Sequence, residues 1–128
     1  MATFEAKFLE RAYSTPDVAE QRGRLRAAVR ARSGERGLDV GCGPGLLSCE
    51  LAREVGPRGR IVGIDTSTEM IAMCVERARR DALSSRAEFH QGDAADLQFP
   101  PASFDFAVAS QVYEYVPDLK HALAEAYR

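Results

Sequence analysis

The stretch Leu38-Asp39-Val40-Gly41-Cys42-Gly43-Pro44-Gly45 decides the fold. A short apolar run with an acid leads into three glycines at alternate positions, and residues 46–51 then have the pattern of a helix. Glycine reaches positive φ at little cost, and because it lacks a Cβ a ligand can lie against its backbone. A strand that turns through glycines into a helix is typical of nucleotide-binding sites. The stretch therefore predicts such a site and leaves the nucleotide open.

Length and composition restrict the class of protein. The chain has 128 residues, of which 45% are hydrophobic and 28% charged, which suits one folded domain. The net charge of −2 gives no general attraction to nucleic acid or anionic membranes. No apolar run approaches the roughly 20 residues of a membrane span, and the N-terminus lacks the apolar segment of a signal peptide. The three cysteines fit neither a metal motif nor a disulfide framework, so we expect reduced thiols, no metal and a cytoplasmic protein.

Strands and helices alternate along the chain. Helices are predicted over residues 1–13, from Pro16 to about Ser33-Gly34, over 46–55, from Thr66 to about 82, and from about 118 onward; strands are predicted over 37–40, 60–64, 87–91 and 104–109. Thr66 and Glu69 have the spacing of a capping box. Alternation of this kind predicts βαβ units and a parallel sheet. We expect a helical lid segment over residues 1–36 and an α/β domain over 37–128.

Polar residues lie at or just after the end of every predicted strand. They are Asp39 with the glycine turn, Asp65, Asp93, and Ser110-Gln111. Ligands of parallel sheets bind beyond the carboxyl ends of the strands. Because four strand ends carry polar groups, the sequence places the site along this whole edge of the sheet.

Two details of the turn bear on the nucleotide. A dinucleotide fingerprint has Gly or Ala three positions after its second glycine, where this chain has Leu46. The carboxylate of Asp39 would repel a pyrophosphate but suits a ligand with an ammonium group. No GKS or GKT sequence follows the turn, which excludes a P-loop. The turn therefore favours a ligand with a positively charged amino group.

Four segments, in order, resemble the motifs of class I S-adenosylmethionine-dependent methyltransferases. They are 39–45, 63–67, 92–97 followed by Phe99-Pro100, and Phe104-Asp105 with 111–118. The resemblance implies a three-layer Rossmann-like parallel sheet with helices on both faces and strand order 3-2-1-4. The family usually continues with strands 5 to 7, so we expect this chain to represent the cofactor-binding half. Its fourth strand would then be an exposed apolar edge, for which we expect a homodimer through that edge or low solubility.

The resemblance implies roles at the methionine end of S-adenosylmethionine. Gly41, Cys42 and Gly43 would lie along the methionine part of the cofactor. Asp39 would support its ammonium group, directly or through water. Gln111 would face the amine and the methyl group.

The resemblance also implies roles at the adenosine end. Asp65 would accept hydrogen bonds from both ribose hydroxyls, because a carboxylate has two oxygens for two donors. Thr66 and Met70 would border the adenine. Asp93 would accept from the adenine amino group, and the amide of Ala94 would donate to the ring.

The expected reaction is methyl transfer to a small-molecule acceptor, which depends chiefly on holding donor and acceptor in contact. Glu114 is the candidate general base, and Tyr13 is a candidate lid residue. Two other functions stay open: a cofactor-binding module without activity, and an RNA or protein methyltransferase. The last rests on Arg22, Arg26 and Arg30, four apart on one helix face, which otherwise form a solvated surface.

Overall fold

A parallel sheet lies at the centre of the fold. The computed structural model describes residues 16–93 and 103–109. Its elements in chain order are α1 (Pro16–Val29), β1 (Arg36–Val40), α2 (Leu46–Val55), β2 (Arg60–Asp65), α3 (Thr68–Arg80), β3 (Ala87–Gln91) and β4 (Phe106–Val108). The strands lie in the order β3-β2-β1-β4, and each neighbouring pair is parallel. The predicted α/β class and the strand order 3-2-1-4 are confirmed.

The register of the strands brings the polar strand ends to one edge. Val40 of β1 lies opposite Ile64 of β2, and Asp65 lies opposite Gln91 of β3. Because the strands are parallel, the glycine turn after β1 and the carboxylate that ends β2 meet at the carboxyl edge of the sheet.

The core consists of the central strands and the helices packed on them. The last four residues of β1 are buried, and so are four consecutive residues of β2, a pattern typical of strands covered on both faces. Helix α2 buries Leu47, Leu51 and Val55, which recur at helical spacing. A Cβ on Gly37 would overlap the ring of Phe106, so glycine at this position lets β4 pack closely against β1.

The N-cap of helix α3 lies one residue later than predicted. Ser67, not Thr66, is the N-cap, and its Oγ accepts a hydrogen bond from the Met70 amide at 3.2 Å. The Asp65 carboxylate accepts from the Ser67 amide at 2.9 Å. This local bond forms a turn before the helix and carries the cap one residue further.

Helix α1 begins at Pro16 as predicted, but ends earlier than predicted. The helix stops at Val29, and Arg30 takes the left-handed conformation with φ of 53°. Gly34 also has positive φ, at 87°, but lies in the loop beyond. The left-handed residue that ends the helix is therefore an arginine and not the predicted glycine.

The predicted solvated arginine face of α1 is wrong for two of its three residues. Arg22 Nε lies 3.1 Å from Glu50 Oε1, and Arg26 Nε lies 3.4 Å from the same oxygen. Arg26 also lies 3.6 Å from Glu54. Arg30, past the end of the helix, is exposed. Because carboxylates of α2 already face Arg22 and Arg26, the arginine row is not a free phosphate-binding stripe.

Strand β4 is shorter and less buried than predicted. It spans 106–108 within the predicted 104–109, and Phe106 and Ala107 are only half-buried. It pairs with β1 on one side, and among the described residues no strand pairs with its other side. The predicted helices over 1–13 and beyond 118 lie outside the described residues. Of the helices that the structure does describe, none has the length and apolar character needed to span a membrane.

Candidate functional site

The glycine turn after β1 is held by backbone hydrogen bonds. Gly41, Gly43 and Gly45 all have positive φ, at 71°, 55° and 90°. The Cys42 amide donates to the Ile64 carbonyl of β2 at 2.8 Å, and the Gly45 amide donates to the Cys42 carbonyl at 3.1 Å. Since other residues pay a steric penalty at positive φ, this turn favours glycine at all three positions. The Cys42 amide, directed at β2, is thus not available as a donor to a ligand.

Asp65 joins the glycine turn to the start of α3. Its Oδ2 accepts from the Gly43 amide at 3.0 Å, and its Oδ1 accepts from the Ser67 amide at 2.9 Å. The residue is half-buried. Each carboxylate oxygen can accept two hydrogen bonds, so each keeps capacity for one more donor.

Asp39 lies behind the turn, in the interior. It is 1% exposed, and Ser48 Oγ donates to its Oδ2 at 2.6 Å. Burial raises the pKa of Asp39 to about 7; the Ser48 hydrogen bond opposes this effect and the negative charge of Asp65 adds to it. A buried carboxylate in this position would act on a bound ammonium group mainly through its charge, across the turn.

Helix α3 also contacts the glycine turn. Cys74 Sγ donates to the Gly43 carbonyl at 3.0 Å and lies 3.7 Å from Cys42 Sγ. Arg77 Nε donates to the Pro44 carbonyl at 3.3 Å. The hydrogen bond with Cys74 and burial raise the pKa of Cys42 far above its usual range. Cys42 is therefore a neutral thiol, which is unsuited to act as a nucleophile.

Three residues of this site were not predicted as part of it: Ser48, Cys74 and Arg77. Cys74 and Arg77 are three apart in sequence, so they share one face of a helix. That spacing is visible in the sequence. Their acceptors, however, are carbonyls in a turn about thirty residues earlier, and only the packing of α3 identifies them.

The segment after β3 joins the same edge. The Gly92 amide donates to the Asp65 carbonyl at 3.0 Å, which places Asp93 beside the end of β2. Asp93 is exposed, and so is Thr66, whose carbonyl accepts from Gln91 Nε2 at 3.1 Å. The structure thus brings Asp65, Thr66 and Asp93 to one edge.

Of the other predicted site residues, the structure describes Met70 alone. Met70 lies in the first turn of α3 and is 5% exposed. Ala94, Gln111, Glu114 and Tyr13 lie outside the described residues. Within residues 16–93 and 103–109, no group of three His, Cys, Asp or Glu side chains is arranged to hold a metal ion.

The fold and the site together define the class of protein. A parallel sheet of order 3-2-1-4, with a glycine turn after β1 and an acid at the end of β2, is a Rossmann-like nucleotide-binding domain. A family model described as a methyltransferase domain matches residues 31–128. The chain belongs to this methyltransferase domain family, and membership implies S-adenosylmethionine as the methyl donor.

Three similar proteins show how far the likeness in sequence and in fold extends. The 2-phytyl-1,4-naphtoquinone methyltransferase of Synechococcus elongatus is 37% identical over 98 residues, which cover 77% of this chain and 42% of that protein. The crystal structure of the [4+2]-cyclase SpnF matches with a TM-score of 0.78 and 30% identity, over 84% of this chain and 39% of the other. A SAM-dependent methyltransferase from Aquifex aeolicus has a TM-score of 0.83 at 21% identity, over 98% of this chain and 67% of the other; it shows the shared fold alone. The chain spans 35% to 42% of the length of the first curated relatives that it matches.

Proposed function

We propose that this protein is an S-adenosylmethionine-dependent methyltransferase that acts on a small-molecule acceptor, with the donor bound at the carboxyl ends of β1 and β2. One observation carries the proposal. The carboxylate of Asp65 lies 3.0 Å from the amide of Gly43, so an acceptor for ribose hydroxyls and the glycine turn are adjacent. A nucleoside with an amino-acid tail could therefore place its ribose at Asp65 and its tail along the glycine turn.

The residues present fit such a donor in hydrogen bonding and in charge. Asp65 has acceptor capacity left for both ribose hydroxyls. S-adenosylmethionine carries a sulfonium and an ammonium group, and a cation near Asp39 and Asp65 would offset the repulsion between the two carboxylates. Asp93 and Thr66 lie beside Asp65, where we place the adenine.

Methyl transfer depends mainly on how the protein positions the donor and the acceptor. The bound donor supplies a methyl group on a sulfonium, from which a neutral thioether is a good leaving group. The chain then has to hold donor and acceptor in line and at contact distance. We propose that Gly41 and Gly43 lie along the methionine part, that Gln111 faces the methyl group, and that Glu114 takes a proton from acceptors that lose one.

Calorimetry with S-adenosylmethionine tests the cofactor assignment on the chain itself. Saturable binding of one molecule per chain is expected, and a flat titration would contradict it. A methyl-labelled donor then tests turnover with candidate acceptors. Because similar proteins are named demethylmenaquinone methyltransferase and 2-phytyl-1,4-naphtoquinone methyltransferase, demethylmenaquinone is the first acceptor to test.

The similarity to SpnF favours a second function, in which the chain uses the fold without transferring a methyl group. SpnF is described as a [4+2]-cyclase and is 30% identical to this chain over the matched region. A shared fold does not imply a shared reaction. Saturable S-adenosylmethionine binding with no label transferred to any acceptor would support this function over methyl transfer.

We also propose that the protein is cytoplasmic and pairs through β4. Cys42 and Cys74 are unbridged although their sulfurs lie 3.7 Å apart, which suits a reducing compartment. Phe106 and Ala107 of β4 are half-buried with β1 on one side only, among the described strands. Light scattering is expected to give the mass of a dimer, and a monomer at high concentration would contradict the pairing.

A further inference from the structure

We infer that Cys74 and Arg77 of α3 are positioning residues, which hold the glycine turn in the conformation that binds the donor. The inference rests on the proposed function and extends it to residues that do not themselves reach the ligand. Cys74 Sγ donates to the Gly43 carbonyl at 3.0 Å, and Arg77 Nε donates to the Pro44 carbonyl at 3.3 Å. Two successive carbonyls of the turn are thus held by one face of one helix.

Because the hydrogen bond between Cys74 and the Gly43 carbonyl is buried, its loss would be costly. Cys74 is 0% exposed, and Gly43 is buried as well. A buried carbonyl that loses its donor is left unsatisfied and bears the cost of desolvation. The backbone of Gly43 would then favour any rotation that turns its carbonyl toward water.

Helix α3 packs closely against the turn at Gly45. A Cβ built on Gly45 would lie 3.0 Å from Cys74 Sγ and 3.2 Å from Cys74 Cα. Glycine at this position, with φ of 90°, lets the helix backbone approach the turn closely. Helix α3 therefore lies in close contact with the turn that it supports.

Gly43 is held at both its amide and its carbonyl. Its amide donates to Asp65 Oδ2 at 3.0 Å, and its carbonyl accepts from Cys74. Because the Asp65 bond constrains φ of Gly43 and the Cys74 bond constrains ψ, loss of the Cys74 bond would free ψ and leave the Asp65 bond as the remaining one of the two. The turn beside the carboxylate assigned to the ribose hydroxyls would then be held less firmly.

Paired variants separate hydrogen bonding from packing. Cys74→Ala removes the donor, whereas Cys74→Ser keeps a donor of similar size. Arg77→Met removes the guanidinium but keeps a long apolar stem, and Arg77→Lys restores a charged donor. Cys49→Ala is the matched control, because Cys49 is 1% exposed on α2 and its thiol is not among the donors to the turn carbonyls.

Amide hydrogen exchange of the ligand-free chain tests the positioning by itself. The Gly43 and Gly45 amides are expected to exchange about threefold to tenfold faster in Cys74→Ala, relative to amides of β1 and β2, as for one neutral hydrogen bond. Cys74→Ser and Cys49→Ala are expected to match the unchanged protein. Equal exchange in all four proteins would overturn the inference.

Calorimetry with S-adenosylmethionine then tests the consequence for binding. The Kd is expected to rise about threefold to tenfold in Cys74→Ala and Arg77→Met and to recover in Cys74→Ser and Arg77→Lys. Equal losses in Cys74→Ala and Cys74→Ser, or the same loss in Cys49→Ala, would indicate packing alone and overturn the inference. If the unchanged chain binds no S-adenosylmethionine, the proposed function fails, while the exchange data still decide whether Cys74 holds the turn.

Discussion

Asp39 and Asp65 lie near the ends of neighbouring strands, but their surroundings differ. Asp39 is 1% exposed and accepts a hydrogen bond from the Ser48 hydroxyl, whereas Asp65 is half-buried and accepts from two backbone amides. The register explains the difference. Asp39 pairs with Gly63 inside the sheet, while Asp65 lies one position beyond the last pair that β2 forms with β1. Two acids near the ends of neighbouring strands therefore differ in burial and in hydrogen-bond partners.

We predict that Asp65 assists ligand binding at little cost to the stability of the folded chain. Asp39 is predicted to assist binding at a cost, because its ionised form destabilises the folded chain. Asp65 can accept hydroxyl donors from a ligand without leaving its backbone partners. Asp39 is a carboxylate in a buried environment, and its raised pKa expresses the cost of ionising it there. A cation bound at the turn would reduce that cost.

The largest expected effect is the loss of donor binding in Asp65→Ala. Two charge-assisted hydrogen bonds to hydroxyls contribute about 3 to 6 kcal/mol together, so the Kd for S-adenosylmethionine should rise by about a hundredfold to ten-thousandfold. Calorimetry measures this change. Asp81→Ala is the matched control, because Asp81 is an exposed acid at the end of α3 that pairs with Arg53 at 2.9 Å. Unchanged affinity in Asp65→Ala would remove Asp65 from the site.

The second prediction concerns stability. Asp39 has an ordinary pKa of 3.8 and a folded-state pKa of about 7, so between these values the folded chain holds a proton that the unfolded chain releases. The free energy of unfolding therefore falls as pH rises from about 4 to 7, by up to about 4 kcal/mol in total. Asp39→Asn removes this fall in the free energy of unfolding, because asparagine does not ionise, and it keeps an oxygen that can accept from the Ser48 hydroxyl. Urea unfolding should find the variant more stable by up to about that amount at pH 8, and nearly equal at pH 4. A less stable variant at pH 8 would contradict the assignment.

These two acids also show how far the sequence alone reaches. The glycine turn and the helix over 46–55 were predictable because glycines, strand ends and helical spacing are local signals, and α2 has those bounds. Asp65 was predictable as the acid that comes directly after a predicted strand. The burial of Asp39 against Ser48, and the pairing of Arg22 with Glu50, depend on which side chains the packing brings together. Local patterns carry no such information.

Removing the partner of Asp39 is expected to have a smaller effect. In Ser48→Ala the ionised carboxylate loses a charge-assisted hydrogen bond of 2.6 Å, which costs about 1.5 to 3 kcal/mol at pH 8. In the Asp39→Asn background the same change removes a neutral bond and should cost about 1 kcal/mol. A double-mutant cycle by urea unfolding at pH 8 measures the coupling between the two residues. Equal costs in both backgrounds would show that Asp39 is not ionised at that pH.

The smallest predicted effect is a change in the affinity for S-adenosylmethionine with pH, caused by the ionisation of Asp39. A cation at the turn favours the ionised form of Asp39, so donor binding should release a proton when the pH is near 7, the value of its pKa in the free chain. Affinity for S-adenosylmethionine should therefore rise by about tenfold between pH 6 and 8, beyond any rise in Asp39→Asn, which cannot ionise at this position. Calorimetry in two buffers with different ionisation enthalpies counts the released protons in both proteins. Equal proton release would mean that Asp39 does not sense the ligand charge, and the ammonium would then have to be held by other groups at the edge that Asp65 shares with the turn.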